Sequence, residues 1–271
     1  MDTISAVILG IVQGLSEFLP ISSSGHLILI REALSIRTSH ELAYDAVLQL
    51  GTIFAVIVYF FPDLWRLFHA SLRMVGRMEV DKKDKTLITA LLIGTIPAVI
   101  VGLLLENFME TTFRAPILVA FVLVAGSGLL AYAEYAFATN LAPKRELTVR
   151  TGVIVGIFQC LALIPGMSRS GATISGGLIL GLTRYEATRF AFLLSIPIIV
   201  GSGLKKLLEL MKTPAPDISL FSLAVGGGVA FIVGLFAIHF MLKFVRNHTL
   251  WVFIWYRIAI ALIVLIVVFT Q

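Results

Sequence analysis

The chain has 271 residues, 58% of them hydrophobic and 14% charged, with a mean hydropathy of +0.98. A soluble domain carries about 25% charged residues, so too few polar side chains are present to cover a water-facing surface, and the composition places the chain in a membrane. The net charge of +5 sits as Lys and Arg in short loops, a topology signal rather than a nucleic-acid surface, and the single cysteine, Cys160, excludes an internal disulfide framework.

The chain opens on "MDTISAVILG", which is acidic rather than basic, and no A-x-A-like site follows, so no cleavable signal peptide is expected. The first apolar region, 4–30, is interrupted by "EFLPISSSGHL" at 17–27. Unbroken apolar stretches then run near 42–61, 87–105 and 115–137, each close to the roughly 20 residues that cross a bilayer as a helix. A second interrupted region covers 151–182, broken around "IPGMSRSG", and three more full stretches follow near 187–204, 220–243 and 250–269. Each arm of the broken regions is too short to span, which predicts re-entrant helix–loop–helix segments whose breaks are buried in protein or line a cavity. Cys160 reads as a small packing residue, and Pro97 and Pro197 as helix kinks.

The two broken regions align without gaps at an offset of 146 residues. Between "GIVQGLSEFLPISSSGHL" (10–27) and "GIFQCLALIPGMSRSGAT" (156–173), the pairs Gly10/Gly156, Ile11/Ile157, Gln13/Gln159, Leu15/Leu161, Ser22/Ser168, Ser24/Ser170 and Gly25/Gly171 coincide. Three full spans separate the copies, and an odd number reverses the chain direction. The fold expected is an all-α integral membrane protein, an inverted-topology repeat with six full transmembrane helices and two re-entrant helix–loop–helix segments. It forms one membrane domain over 1–271, built from repeats of about 1–140 and 141–271, with its site where the halves join.

Loop charge predicts the orientation. Loop 62–86, with Arg66, Arg73, Arg77, Lys82, Lys83 and Lys85, should be cytoplasmic, together with 138–150 and 243–249. Loop 106–114 then falls outside, as does 205–217 despite Lys205, Lys206 and Lys212, and both termini should be external.

Between residues 3 and 30 the only ionisable side chains are Glu17 and His26; between 151 and 183 the only strongly charged one is Arg169. A charge at membrane depth costs at least ~2.5 kcal/mol, so such residues face a site or a partner. One reading is an ion pair between Glu17 and Arg169 that locks the halves together. The serines argue for more, since capping needs only one hydroxyl per helix. Ser22, Ser23 and Ser24 precede one half-helix, and Ser168 and Ser170 flank Arg169 before the other. Two helix N-termini, an arginine fork and several hydroxyls describe a phosphate pocket. Thr173 either adds a hydroxyl or bonds back within its own helix. Glu17, with Gln13 one turn before it, either helps hold a divalent cation beside a diphosphate, Mg²⁺ first and Ca²⁺ as the alternative, or acts as a base or an orienter of His26. Ser22 and Ser23 stand within reach of His26, so either an activated serine or the histidine itself is the candidate nucleophile. Asp45, Gln49 and Arg257 are weaker candidates, to line the cavity or sit at the interface.

"QGLSEFLPISSSGH" and "PGMSRSGAT" resemble the paired motifs of the bacterial undecaprenyl-diphosphate phosphatases, and the resemblance covers essentially the whole chain. It implies hydrolysis of the C55 polyprenyl diphosphate to its monophosphate, recycling of the cell-wall lipid carrier, dependence on a divalent cation and bacitracin resistance on overproduction. It implies that Glu17 and Gln13 serve the metal, Glu17 also serving catalysis, with Ser23 or His26 as nucleophile. Ser168, Arg169, Ser170 and Thr173 would hold the diphosphate, with Ser22, Ser24, Gly166 and Gly171 around it. Many members have glutamate where this chain has Gln13. The expected partners are the polyprenyl diphosphate and membrane lipids, with no nucleic acid, and a homodimer is one assembly kept open. The expected location is the bacterial cytoplasmic membrane, with the site reached from its outer side. The competing readings are a lipid-phosphate transporter using the same anion site and an intramembrane serine protease.

Overall fold

A computed structural model of the chain describes residues 2–36, 41–112, 115–139, 145–212 and 219–270. Among these residues the chain is all helix: α1 (Thr3–Phe18), α2 (Ser23–Leu34), α3 (Glu41–Tyr59), α4 (Phe61–Val75), α5 (Lys82–Thr112), α6 (Pro116–Ala138), α7 (Val149–Leu161), α8 (Arg169–Ile179), α9 (Arg184–Lys212), α10 (Leu220–Asn247) and α11 (Trp251–Thr270). Five of them, α5, α6, α9, α10 and α11, are long and apolar enough to cross a membrane, and α3, which bends into α4 at its end, is a sixth candidate. The chain is a multi-pass membrane protein. Its outward faces are apolar as lipid-facing surface must be, with Leu104, Phe236 and Phe269 all more than 70% exposed.

Both interrupted regions form the expected helix–break–helix: α1 and α2 flank residues 19–22, and α7 and α8 flank 162–168. Other boundaries move. The stretch read as loop 62–86 begins with a helix, α4, turned 77° from the line of α3. Pro62 in its first turn suits a helix start, where a missing N–H breaks no bond. Phe61, Trp65, Phe68 and Leu72 form an exposed apolar stripe, while Leu67 and Ala70 pack inward. A helix with that pattern lies along a membrane surface; the basic residues among its apolar ones disguised it as a loop. The loops expected at 106–114 and 205–217 are helical to Thr112 and Lys212; in the second, the run of good helix formers from Lys205 to Lys212 continues beyond the apolar core. Residues 113–114 and 213–218 lie outside the described residues.

Close helix contacts give the chain directions. Gly10 lies against Gly226, and Gly14 against Ala230 and Val233, so α1 runs parallel to α10. Gly226 in turn meets Tyr44, and Gly234 meets Thr52 and Ala55, so α3 runs the same way. In the other half Gly152 meets Ala90 and Gly156 meets Gly94, making α7 parallel to α5. Arg66 joins Asp63, beside the end of α3, to Asp84, in the first turn of α5 (3.1 and 3.5 Å). Thus α5 departs from the face that α3 reaches, and α1 and α7 enter from opposite faces, as the odd number of spans predicts. The repeat pair Gly10/Gly156 does the same work in each half: a Cβ on Gly10 would stand 2.6 Å from the Gly226 carbonyl oxygen, and one on Gly156 would collide with that of Gly94. Small residues let membrane helices approach this closely.

Candidate active site

The two breaks turn by the same device. Ser22 (φ 77°) and Ser168 (φ 74°) adopt positive φ values, in which a side chain is strained by roughly 1–3 kcal/mol. In each case the hydroxyl of this serine caps the following half-helix, accepting from Gly25 N (3.3 Å) and from Gly171 N (3.1 Å). Each capping hydroxyl also lies beside the serine two residues on, Ser22 with Ser24 at 3.4 Å and Ser168 with Ser170 at 3.2 Å. A Cβ on Gly171 would meet Ser168 Cβ at 3.1 Å and the Arg257 guanidinium at 3.2 Å. Gly166 (φ 99°) makes the sharp turn before α8. The rest of each first turn presents N–H groups that helix geometry leaves unpaired and the dipole makes positive.

The first residues of the two inner half-helices, Ser23 and Arg169, occupy equivalent repeat positions and meet at one carboxylate. Ser23 Oγ donates to Glu17 Oε2 at 2.6 Å, and the Arg169 guanidinium pairs with Glu17 Oε1. Gln13 Nε2 also donates to Oε2, at 2.9 Å. Ser170 Oγ donates to the Leu19 carbonyl at 3.0 Å, tying the second break to the first. Glu17 and Gln13 are buried, whereas Ser23, Ser24 and Arg169 are part-exposed and can meet a ligand.

Two candidates stand differently from the serines. His26 uses both nitrogens elsewhere: Nδ1 lies 2.8 Å from the Ser22 carbonyl and Nε2 lies 2.9 Å from the Tyr256 hydroxyl. A carbonyl can only accept, so Nδ1 carries the proton and Nε2 accepts from Tyr256. Thr173 is fully buried and donates back to the Arg169 and Ser170 carbonyls (2.7 and 3.3 Å), the in-helix alternative.

A model of the family described as "Bacitracin resistance protein BacA" matches residues 6–263. The chain belongs to the BacA family. Proteins named undecaprenyl-diphosphatase are similar to it along nearly their full lengths. That of Renibacterium salmoninarum is 41% identical over 270 residues, 98% of this chain and 96% of the relative. That of Micrococcus luteus is 41% identical over 261 residues, 95% and 94%, and that of Trichlorobacter lovleyi 42% over 261 residues, 96% and 94%.

In this BacA-family chain the site also contains a residue that the sequence left at the margin. Arg257 is fully buried, and its guanidinium donates to the Pro20 carbonyl of the first break (3.1 Å) and to the Gly166 (3.0 Å) and Met167 (3.1 Å) carbonyls of the second. It also reaches Leu123 in α6. Pro20 and Gly166 are themselves 146 residues apart, so one arginine holds equivalent carbonyls of both repeats. Gly126 makes room for it: a Cβ there would collide with the guanidinium. The signal available in the sequence was a charge inside an apolar span. Asp45, another marginal candidate, pairs with Arg31 at 2.6 Å, between α3 and α2.

The donor set for a divalent cation is small. Among the described residues no three His, Cys, Asp or Glu side chains come together. Gln13 Oε1, however, is buried without a hydrogen-bond partner beside Glu17. One carboxylate and one orphaned amide oxygen suit Mg²⁺, which takes one or two carboxylates and completes its shell with substrate phosphates and water.

Proposed function

We propose that this chain hydrolyses undecaprenyl diphosphate to undecaprenyl monophosphate and inorganic phosphate in the bacterial cytoplasmic membrane. The observation that carries the reading is the convergence of Ser23 and Arg169, first residues of two half-helices entering from opposite faces, on the buried Glu17 carboxylate. Two positive helix ends and an arginine fork form a cradle for a diphosphate, which competes with Glu17 for Arg169. Ser23 is the nucleophile and Glu17 Oε2 its base. The serine oxygen bonds to the terminal phosphorus, its proton passes to Glu17, and the phosphoanhydride bond breaks to release the prenyl monophosphate. Water then cleaves the phosphoserine. Arg169 and the capped N-termini neutralise the charge that gathers on the phosphoryl oxygens. A divalent cation at Glu17 and Gln13 Oε1 would supply further charge neutralisation. His26, held by Ser22 and Tyr256, positions the first turn of α2, and Ser168, Ser170 and Gly171 shape that of α8.

The domain reads as two inverted repeats, about 1–140 and 141–271. The site is reached from the outer side, because α1 begins on the face opposite the basic α4–α5 connection. One chain supplies Glu17, Ser23 and Arg169, so a homodimer is compatible with the reading and not required by it. A pure lipid-phosphate carrier needs the anion cradle but no serine held by a carboxylate, which is why the hydrolase is favoured. A peptide bond offers no phosphate for Arg169 to grip, which disfavours the protease.

The test is phosphate release from a polyprenyl diphosphate by purified protein in detergent, after chelation and after Mg²⁺ is restored. Cation-dependent release supports the reading. No release by folded protein that still moves lipid phosphate across liposomes would make the cradle a carrier's site.

A further inference from the structure

On the face that α3 and α10 reach, away from the breaks, a cavity of about 470 Å³ opens between the ends of α3 and α10 and the start of α9. Phe18, the last residue of α1, lies against Gly234. The α10 residues that line the cavity, His239 to Arg246, are five to twelve positions further on, which is about 8–18 Å along the helix. Its charged lining is Arg189, Lys243 and Arg246 against Asp63, three positive charges and one negative, a balance of +2. The single carboxylate is shared: Asp63 pairs with Arg189 at 2.8 Å and with Arg66 at 3.1 Å. Arg246 is exposed, with its guanidinium 4.5 Å from the Tyr185 ring centre, which orients it along the cavity wall. Tyr59 and His239, 3.2 Å apart, add polar groups to the same wall.

Cations near the C-terminal end of a helix offset its dipole and need no ligand. That accounts for Lys243 and Arg246 singly, and Asp63 accounts for Arg189; neither explains why three cations line one space whose single carboxylate is already shared with Arg66. We propose that this cavity is a second phosphate site, which takes a phosphate monoester dianion. The charge matches, and arginine and lysine are the side chains that grip such groups. The depth matches a headgroup as well, because α4 lies at this face with its apolar stripe turned outward. The occupant is the headgroup of a lipid monophosphate or free inorganic phosphate. The cavity stands on its own residues and does not depend on the reaction assigned to the breaks.

The test counts farnesyl monophosphate bound to the purified full chain in neutral detergent by equilibrium dialysis, beside a parallel titration with inorganic phosphate. The expected result is two equivalents of the lipid in the unaltered chain, one in Lys243→Gln/Arg246→Gln, and one in Arg169→Ala. The initial rate of diphosphate hydrolysis should be unchanged in the double variant. Lys243→Gln alone, at an exposed position that leaves the Arg246–Tyr185 contact in place, should bind the second equivalent about tenfold more weakly, the effect of one charge-assisted hydrogen bond. Inorganic phosphate displacing that equivalent at similar concentration would identify the free ion as the occupant; its failure to do so would identify the lipid. Two equivalents retained by the double variant, or only one in the unaltered chain that Arg169→Ala removes, would overturn the proposal. Failure of the phosphatase reading would show instead as absent phosphate release, with the dialysis count at the cavity unaffected.

Discussion

Ser23 Oγ donates to Glu17 Oε2 at 2.6 Å across the first break, while His26, three residues after Ser23, is engaged by Ser22 and Tyr256. Glu17→Gln should therefore lower kcat for phosphate release by about 10²–10⁴, the usual contribution of a positioned base, and Ser23→Ala by at least as much. Tyr256→Phe frees His26 Nε2 without touching Glu17 and should cost less than about tenfold. Steady-state rates on these three variants check the assignment. Full activity in Ser23→Ala with loss in a His26 variant would make the histidine the nucleophile.

Arg257 links equivalent carbonyls of the two repeats, so its loss should act on both breaks together. Arg257→Met leaves the Pro20, Gly166 and Met167 carbonyls without their donor and should destabilise the protein by roughly 3 kcal/mol or more. Gly126→Ala is a second route to the same defect, since its Cβ would push the guanidinium away. Thermal unfolding in detergent should show both variants lowered, with kcat falling in any fraction that stays folded. An unchanged Tm and rate in Gly126→Ala would deny Arg257 this role.

The glycine contacts give a matched pair of outcomes. Gly156→Ala should loosen α7 from α5 and destabilise, because the new methyl collides with the Gly94 carbonyl. A Cβ on Gly128 would have nothing within 4 Å, so Gly128→Ala should be neutral or stabilising by about 0.5–1 kcal/mol. The difference in Tm between the two variants is the readout.

Gln13 offers an orphaned amide oxygen beside Glu17. Gln13→Glu adds a second carboxylate beside Glu17, and the repulsion between them is relieved when a cation binds. The half-saturating Mg²⁺ concentration for phosphate release should fall, by about tenfold if one extra ligand charge is worth roughly 1.4 kcal/mol. A Mg²⁺ titration of activity checks this, and an unchanged midpoint would remove Gln13 from the cation site.

Much of this arrangement was legible because its signals are local. The breaks stand out as polar runs in apolar sequence, and the 146-residue offset pairs Ser22 with Ser168, which share one strained turn. The rarity of charge in the broken regions was enough to bring Glu17 and Arg169 together on paper. What was not legible depends on distant partners. Nothing near Arg257 indicates that it will reach Pro20, 237 residues away, and nothing near His26 names Tyr256. The interfacial helix α4 was hidden because its apolar stripe is interleaved with Arg66, His69 and Arg73, which read as loop charge. Thr173 shows the reverse: its local alternative, bonding back to Arg169, was visible, and packing selected it.

If the two breaks form one phosphoryl-transfer site, Ser23 and Arg169 serve the same step, and combining their variants reveals it. Phosphate release from undecaprenyl diphosphate would be measured for Ser23→Ala, Arg169→Ala and the two combined, each confirmed as folded. Residues that act as a unit are non-additive. Each single variant should drop to a similar low rate, and the double variant should be no slower. Losses that multiply, or an Arg169→Ala variant that keeps its rate, would contradict it.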